Sequence, residues 1–90
     1  MENTYTYHEE CAKDMTLGRN ERAYSRGYIL GYDVSSLKYV RIKIEENNHA
    51  LRTVPLHLRS NFNYAFLCGL RDGLYAKRKF LISEKQKISS

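Results

Sequence analysis

Tryptophan is absent from this chain, proline occurs once and cysteine twice, and each shortage removes a class of explanation. Cys11 and Cys68 lie far apart and form no Cys-x-x-Cys pair, which argues against a disulfide scaffold, a zinc ribbon or a thioredoxin-like centre. Both are expected as reduced thiols in a cytoplasm. No run approaches the ~18 apolar residues that span a bilayer. The opening Met1-Glu2-Asn3-Thr4-Tyr5 has neither a basic start nor an apolar stretch, so no signal peptide is expected. No Walker loop and no Gly-x-Gly-x-x-Gly turn is present to cradle phosphate. His49 and His57 stand without a Ser or Cys nucleophile motif nearby. His8 and Cys11, with Glu9 or Glu10, offer one pair of metal ligands but no second pair to complete a site. Glu9/Glu10 and Glu45/Glu46 read as surface charge rather than an acid-base pair. These absences lead to the expectation of a non-enzyme with neither metal nor cofactor.

What the chain does contain is glycine at helical spacing, twice. Ala23-Tyr24-Ser25-Arg26-Gly27-Tyr28-Ile29-Leu30-Gly31-Tyr32 returns forty-two positions later as Ala65-Phe66-Leu67-Cys68-Gly69-Leu70-Arg71-Asp72-Gly73-Leu74. Residues four apart share a helix face, so Ala23, Gly27 and Gly31 form one shallow ridge and Ala65, Gly69 and Gly73 another. Tyr24, Tyr28 and Tyr32 flank the first; Phe66, Leu70 and Leu74 flank the second. A glycine inside a helix costs roughly 1 kcal/mol relative to alanine. Close approach of two helix backbones, ridge against ridge, is the compensation the pattern predicts. Arg26, Arg71 and Asp72 interrupt both apolar stripes and exclude a membrane dimer of the small-xxx-small kind.

Ninety residues allow one small domain. Charge is unevenly placed along it. Residues 1–18 hold one Lys against four acids, and the remainder holds fourteen Lys or Arg against six. The expected organisation is an acidic amino-terminal arm at 1–18, a globular domain at 19–82 and a disordered polar tail at 83–90. Within the arm, Thr4 or Thr6 caps a short helix through Met15. Asn20 is the expected cap of a helix from about Glu21 to Asp33, and Ser60 that of a helix from about Arg59 to Lys79. Between them, Val40, Ile42 and Ile44 alternate with Tyr39, Arg41 and Lys43, which predicts a strand. Glu46-Asn47-Asn48-His49 supplies a turn and Ala50–Val54 a return strand. The same residues also read as a helix through Leu37, Val40 and Ile44. The fold class expected is α+β: two long helices joined through their small-residue ridges, with a short antiparallel β-hairpin inserted between them.

A basic body is drawn to polyanions, nucleic acid first among them. The candidate nucleic-acid-binding residues are Arg19, Arg22 and Arg26 on one helix; Tyr39, Arg41 and Lys43 on one strand side; and Lys77, Arg78 and Lys79 at a helix end. Tyr39 or Tyr75 is positioned to stack on an unpaired base, and no helix-turn-helix spacing suggests a major-groove reader. A solvated cationic surface accounts for the same spacing.

Glu21-Arg22-Ala23-Tyr24-Ser25-Arg26-Gly27-Tyr28-Ile29-Leu30-Gly31 resembles the first helix of ribosome modulation factor, whose pattern there is Glu-Arg-Ala-x-x-Arg-Gly-Tyr-x-x-Gly. Phe66-Leu67-Cys68-Gly69-Leu70-Arg71-Asp72-Gly73 is similar to that family's second helix, Trp-Leu-x-Gly-Trp-Arg-Glu-Ala, and Pro55 stands near its turn proline. The resemblance implies a small two-helix protein that binds the small ribosomal subunit near the messenger-RNA exit region, silencing translation and promoting ribosome pairing. It carries Arg26, Tyr28 and Arg71 over as binding positions, with Gly27, Gly31 and Gly69 structural. Phe66 and Leu70 replace the family's tryptophans, the cysteine and tyrosine beside its proline are missing, and a stretch of about Val34 to Val54 replaces a much shorter link. The partner expected is therefore a ribosome or structured RNA. The alternative is a host protein gripped by a bacteriophage or mobile-element inhibitor through the inserted hairpin and the tyrosines.

Overall fold

The computed structural model describes residues 4–89, as four helices: α1 (Thr4–Lys13), α2 (Arg19–Tyr32), α3 (Leu37–Thr53) and α4 (Phe62–Ser89). Leu56–Leu58 adds one 3₁₀ turn, and among the described residues there is no strand. The expected α+β class is thus corrected to all-helical, because the inserted hairpin is the helix α3. Its start is capped by Ser36, whose Oγ accepts from the Tyr39 amide. Val40, Ile44 and Asn47 recur four and three apart and are the buried residues of that helix. Ile42, which a strand would place beside Val40 and Ile44, is exposed. The supposed turn lacks a glycine, and a tight two-residue hairpin needs positive φ at its centre; no described residue has one.

The ends of the other helices also differ from expectation. At the start of α2 the Glu21 carboxylate accepts from the Gly18 amide at 2.9 Å, while Asn20 donates across the molecule to the Ser60 carbonyl. Asn61, not Ser60, opens α4: its Oδ1 accepts from the Asn63 amide at 2.7 Å and its carbonyl from Ala65. α4 continues to Ser89, through most of the stretch expected as a tail; Ser90 and residues 1–3 lie outside the described residues. The arm at 1–18 contains α1, which packs on α2.

The two glycine ridges face each other across α2 and α4. A Cβ on Gly31 would sit 2.6 Å from the Leu70 carbonyl oxygen, and one on Gly27 would sit 2.8 Å from the Leu70 nitrogen. On Gly69 it would sit 2.7 Å from the Tyr24 carbonyl carbon, and on Gly73 2.9 Å from that of Tyr28. These neighbours are all backbone, so no rotamer change can make room. The pairing is reciprocal. Gly27 meets Phe66 and Gly69 meets Tyr24, and Tyr24 and Phe66 occupy equivalent places in the repeat. Such exchange is the mark of an isologous contact about an approximate two-fold axis, and because Gly31 meets Leu70 and Leu74 where Gly27 meets Phe66 and Leu70, the two helices run parallel. Close glycine Cα to carbonyl approaches of this kind add weak C–H···O attraction.

Parallel neighbours need a return connection, and α3 is that connection. Its seventeen residues span about 25 Å and pack on α4, just as α1 packs on α2. The spatial order is therefore α1, α2, α4, α3, in a slab of 47 × 30 × 14 Å. Val40 and Ile44 of α3 enclose Leu74 of α4, with Val34, Leu70, Tyr75 and Leu81 around them. On the other side His8 of α1 stacks on Tyr28 with ring centres 4.2 Å apart, and its Nδ1 meets the Ser25 hydroxyl at 2.9 Å. Tyr5 donates to Asp33 at 2.9 Å, fastening the start of α1 to the end of α2.

Candidate nucleic-acid interface

The charge follows the two hairpins. Residues 37–89 carry eleven Lys or Arg against four acids, whereas residues 4–36 carry four against five. Across the width of the slab the cationic excess therefore lies with α3 and α4, and the first hairpin is close to neutral.

Helical winding of 37–53 sorts the candidate residues into two groups. Arg41, Asn48 and Arg52 fall on one flank of α3, Tyr39 and Lys43 on the other. The first flank adjoins α4, where Asn48 Nδ2 donates to the Tyr75 hydroxyl at 3.4 Å. Arg78 lays its guanidinium over the Tyr75 ring, 4.7 Å from the centroid. Arg71, one turn away on α4, is fixed by a 2.9 Å bond from its Nε to Asp72. That bond raises the Arg71 pKa further and sets the Asp72 carboxylate against part of its charge. Arg41, Arg52, Arg71 and Arg78 thus flank Asn48 and Tyr75. Asn48 and Arg52 escaped the sequence reading, and a helical reading of 37–53 would have revealed them.

On the second flank Tyr39 is 57% exposed, and Lys43 pairs with Glu46 at 3.5 Å. Arg19, Arg22 and Arg26 do not present one cationic face. Arg26 is exposed, but Arg19 lies 4.6 Å over the Phe62 ring, and Arg22 turns back to the Leu17 carbonyl and the Met15 sulfur. Tyr28, carried over as a binding position, is only 7% exposed and stacks on His8; it holds α1 in place and offers no ring to a base. Lys77 sits over the Tyr32 and Phe80 rings, facing away from Arg78, and Lys79 is exposed.

Two polar clusters lie outside this surface. Tyr24 donates to Asp72 across the glycine seam. Burial first, and then that bond, push its hydroxyl well above the usual phenol range. A cavity of about 370 Å³ between α1 and α2 is lined by Tyr7, His8, Cys11, Asn20, Tyr24 and Ser25 among others. Ser25 and His8 are in contact there, yet Ser25 is buried in mid-helix, where backbone amides are committed to i−4 carbonyls and none is left for an oxyanion. No group of three potential metal ligands gathers among the described residues.

Fold and surface together define a flat bundle of two helical hairpins joined at a glycine seam, basic along the second hairpin. Comparison with protein-family models, with curated proteins and with solved structures finds no match to this chain. Among the described residues no helix is long and apolar enough to cross a membrane.

Proposed function

We propose that this is a non-enzymatic, cytoplasmic RNA-binding protein acting on translation, in the manner of ribosome modulation factor, with structured RNA of the ribosome as its partner. The observation that carries the reading is the α3–α4 flank: Arg41, Arg52, Arg71 and Arg78 around the stacked Arg78–Tyr75 pair. Guanidinium groups bind phosphate oxygens in bidentate fashion. The outer face of a guanidinium already lying on a ring accepts a splayed base. The first hairpin lies on the far side of the slab and is close to neutral, so the cationic excess that draws a polyanion belongs to the second hairpin.

Sedimentation with purified ribosomes over a salt series tests the reading. Every phosphate that the protein neutralises adds nearly one to the steepness with which log K falls against log salt. The double variant Arg41→Glu/Arg78→Glu is expected to bind at least tenfold more weakly, with a shallower slope and unchanged helicity. Undiminished association of that variant refutes the assignment of this surface to RNA.

A further inference from the structure

One end of the slab carries what the RNA surface does not use. There the α1–α2 turn and the segment from Val54 to Asn61 meet, joined by the Asn20 bond to the Ser60 carbonyl and by Arg19 over the Phe62 ring. This end carries the two most exposed large apolar side chains among the described residues. Leu56 is 79% exposed on the 3₁₀ turn and Met15 76% exposed on the facing turn, with Leu58 and Phe62 also open to solvent. Leucines so placed contribute nothing to a phosphate backbone. They are costly to leave in water unless something covers them.

The arginines beside them are held in position. Arg59 donates from Nε to the Val54 carbonyl at 3.2 Å and lies over the Tyr64 ring, and Arg19 rests on Phe62. Each contact restrains the side chain, and both arginines are exposed to solvent. From residue 52 to residue 62 there are two arginines and no acid. Nearby Asp14 and Glu21 are occupied locally, by Thr16 and by the Gly18 amide.

The geometry points to a docking surface for an acidic, leucine- or phenylalanine-bearing protein segment, with Leu56 and Leu58 as anchors and Arg19 and Arg59 clamping its carboxylates. Arginine, aromatic and methionine side chains, here Arg19, Arg59, Phe62, Tyr64 and Met15, are the types enriched at protein interfaces, and the two leucines add apolar area between them. Restrained guanidinium forks suit discrete carboxylates better than the diffuse charge of a lipid surface. A second copy of the chain would bring this basic end against itself, which like charges oppose. The protein would thus join an RNA through one edge and an acidic protein through one end.

A fluorescent twelve-residue peptide alternating aspartate with leucine is the probe, with two controls: its leucines replaced by serine, and its aspartates replaced by asparagine. Anisotropy titration of the full chain is expected to give binding to the first peptide at least tenfold tighter than to either control. Amide shifts on binding are expected to cluster at residues 14–19 and 54–62. Leu56→Ser/Leu58→Ser, both exposed and so harmless to the fold, is expected to weaken that binding at least tenfold while ribosome association is kept. Equal binding of the leucine-free control, shifts located elsewhere, or no binding at millimolar peptide overturns the proposal. So does capture of the chain on anionic vesicles that the double variant abolishes, since the end would then be a membrane contact.

Discussion

Replacing Gly69 by alanine sets two effects of opposite sign against each other. In an isolated helix the change stabilises by about 1 kcal/mol, since glycine is the poorer helix former. In the folded protein the new methyl carbon would lie 2.7 Å from the Tyr24 carbonyl carbon and 3.0 Å from its Cα. Both are backbone atoms within α2, so relief requires the two helices to part. Parting by about 0.5–1 Å forfeits roughly a quarter to a half of the van der Waals attraction along the seam, and overpacking of this kind costs about 1–3 kcal/mol. Four glycines share the seam, so the separation is felt at Gly27, Gly31 and Gly73 as well, and the cost belongs at or above the top of that range. After the propensity gain, Gly69→Ala is expected to destabilise by about 2 kcal/mol, a fall in Tm of about 8–16 °C for a domain of this size. Gly18→Ala is the control, because its Cβ would meet only the end of the Glu21 side chain at 3.4 Å; its cost is confined to the poorer N-cap preference of alanine at the start of α2, so its fall in Tm should be smaller than that of Gly69→Ala. Thermal unfolding followed by circular dichroism reads both. A Gly69→Ala protein more stable than the parent refutes close backbone contact at the seam.

Three further outcomes concern buried and half-buried polar groups. Asn47 is 4% exposed and neither atom of its amide finds a partner, so Asn47→Leu should raise stability by about 1 kcal/mol or more in urea unfolding; a decrease would mean that the amide is satisfied. Burial lowers the His8 pKa from 6.5, partly opposed by Asp72. Above pH 6.5 both states are neutral there. As pH falls below 6.5 the unfolded chain takes up the proton first, so stability declines until the folded pKa is passed. His8→Gln should flatten the stability–pH curve in that window, and an unchanged slope would assign the dependence to other groups. Asp72→Asn should bring the Tyr24 pKa down while leaving it above 10, because burial persists; phenolate absorbance during alkaline titration measures it, and an unmoved value would show that the Tyr24–Asp72 bond contributes nothing.

Much of this protein is legible from residue spacing alone. Ala23, Gly27 and Gly31, repeated at Ala65, Gly69 and Gly73, specify that two helices touch through their backbones, because helix winding is local and only contact explains the glycine. The excess of cations after residue 37 is equally a property of the string. What spacing left open is the state of 37–53. Val40, Ile42 and Ile44 satisfy a period of two while Val40, Ile44 and Asn47 satisfy a helical period, and so short a stretch cannot tell these apart. The choice falls to a distant partner: Leu74 offers α3 a stripe to bury, and among the described residues no strand exists to pair with it.

The direction of the seam is likewise beyond local reading, since a small-residue ridge looks the same from either end. Gly27 meets Phe66 and Leu70 while Gly31, four residues on, meets Leu70 and Leu74, so α2 and α4 advance together and are parallel, and this is what forces a long return helix between them. That return decides the candidate site. It carries Arg41 and Arg52 to the flank of Arg71 and Arg78, separates them from Arg26, and leaves Tyr28 beneath His8. Sequence determined which side chains carry charge and which surfaces touch; tertiary packing decided which charges meet, because a side chain's neighbours across the fold depend on helix direction and order, and neither is written in nearest-neighbour chemistry.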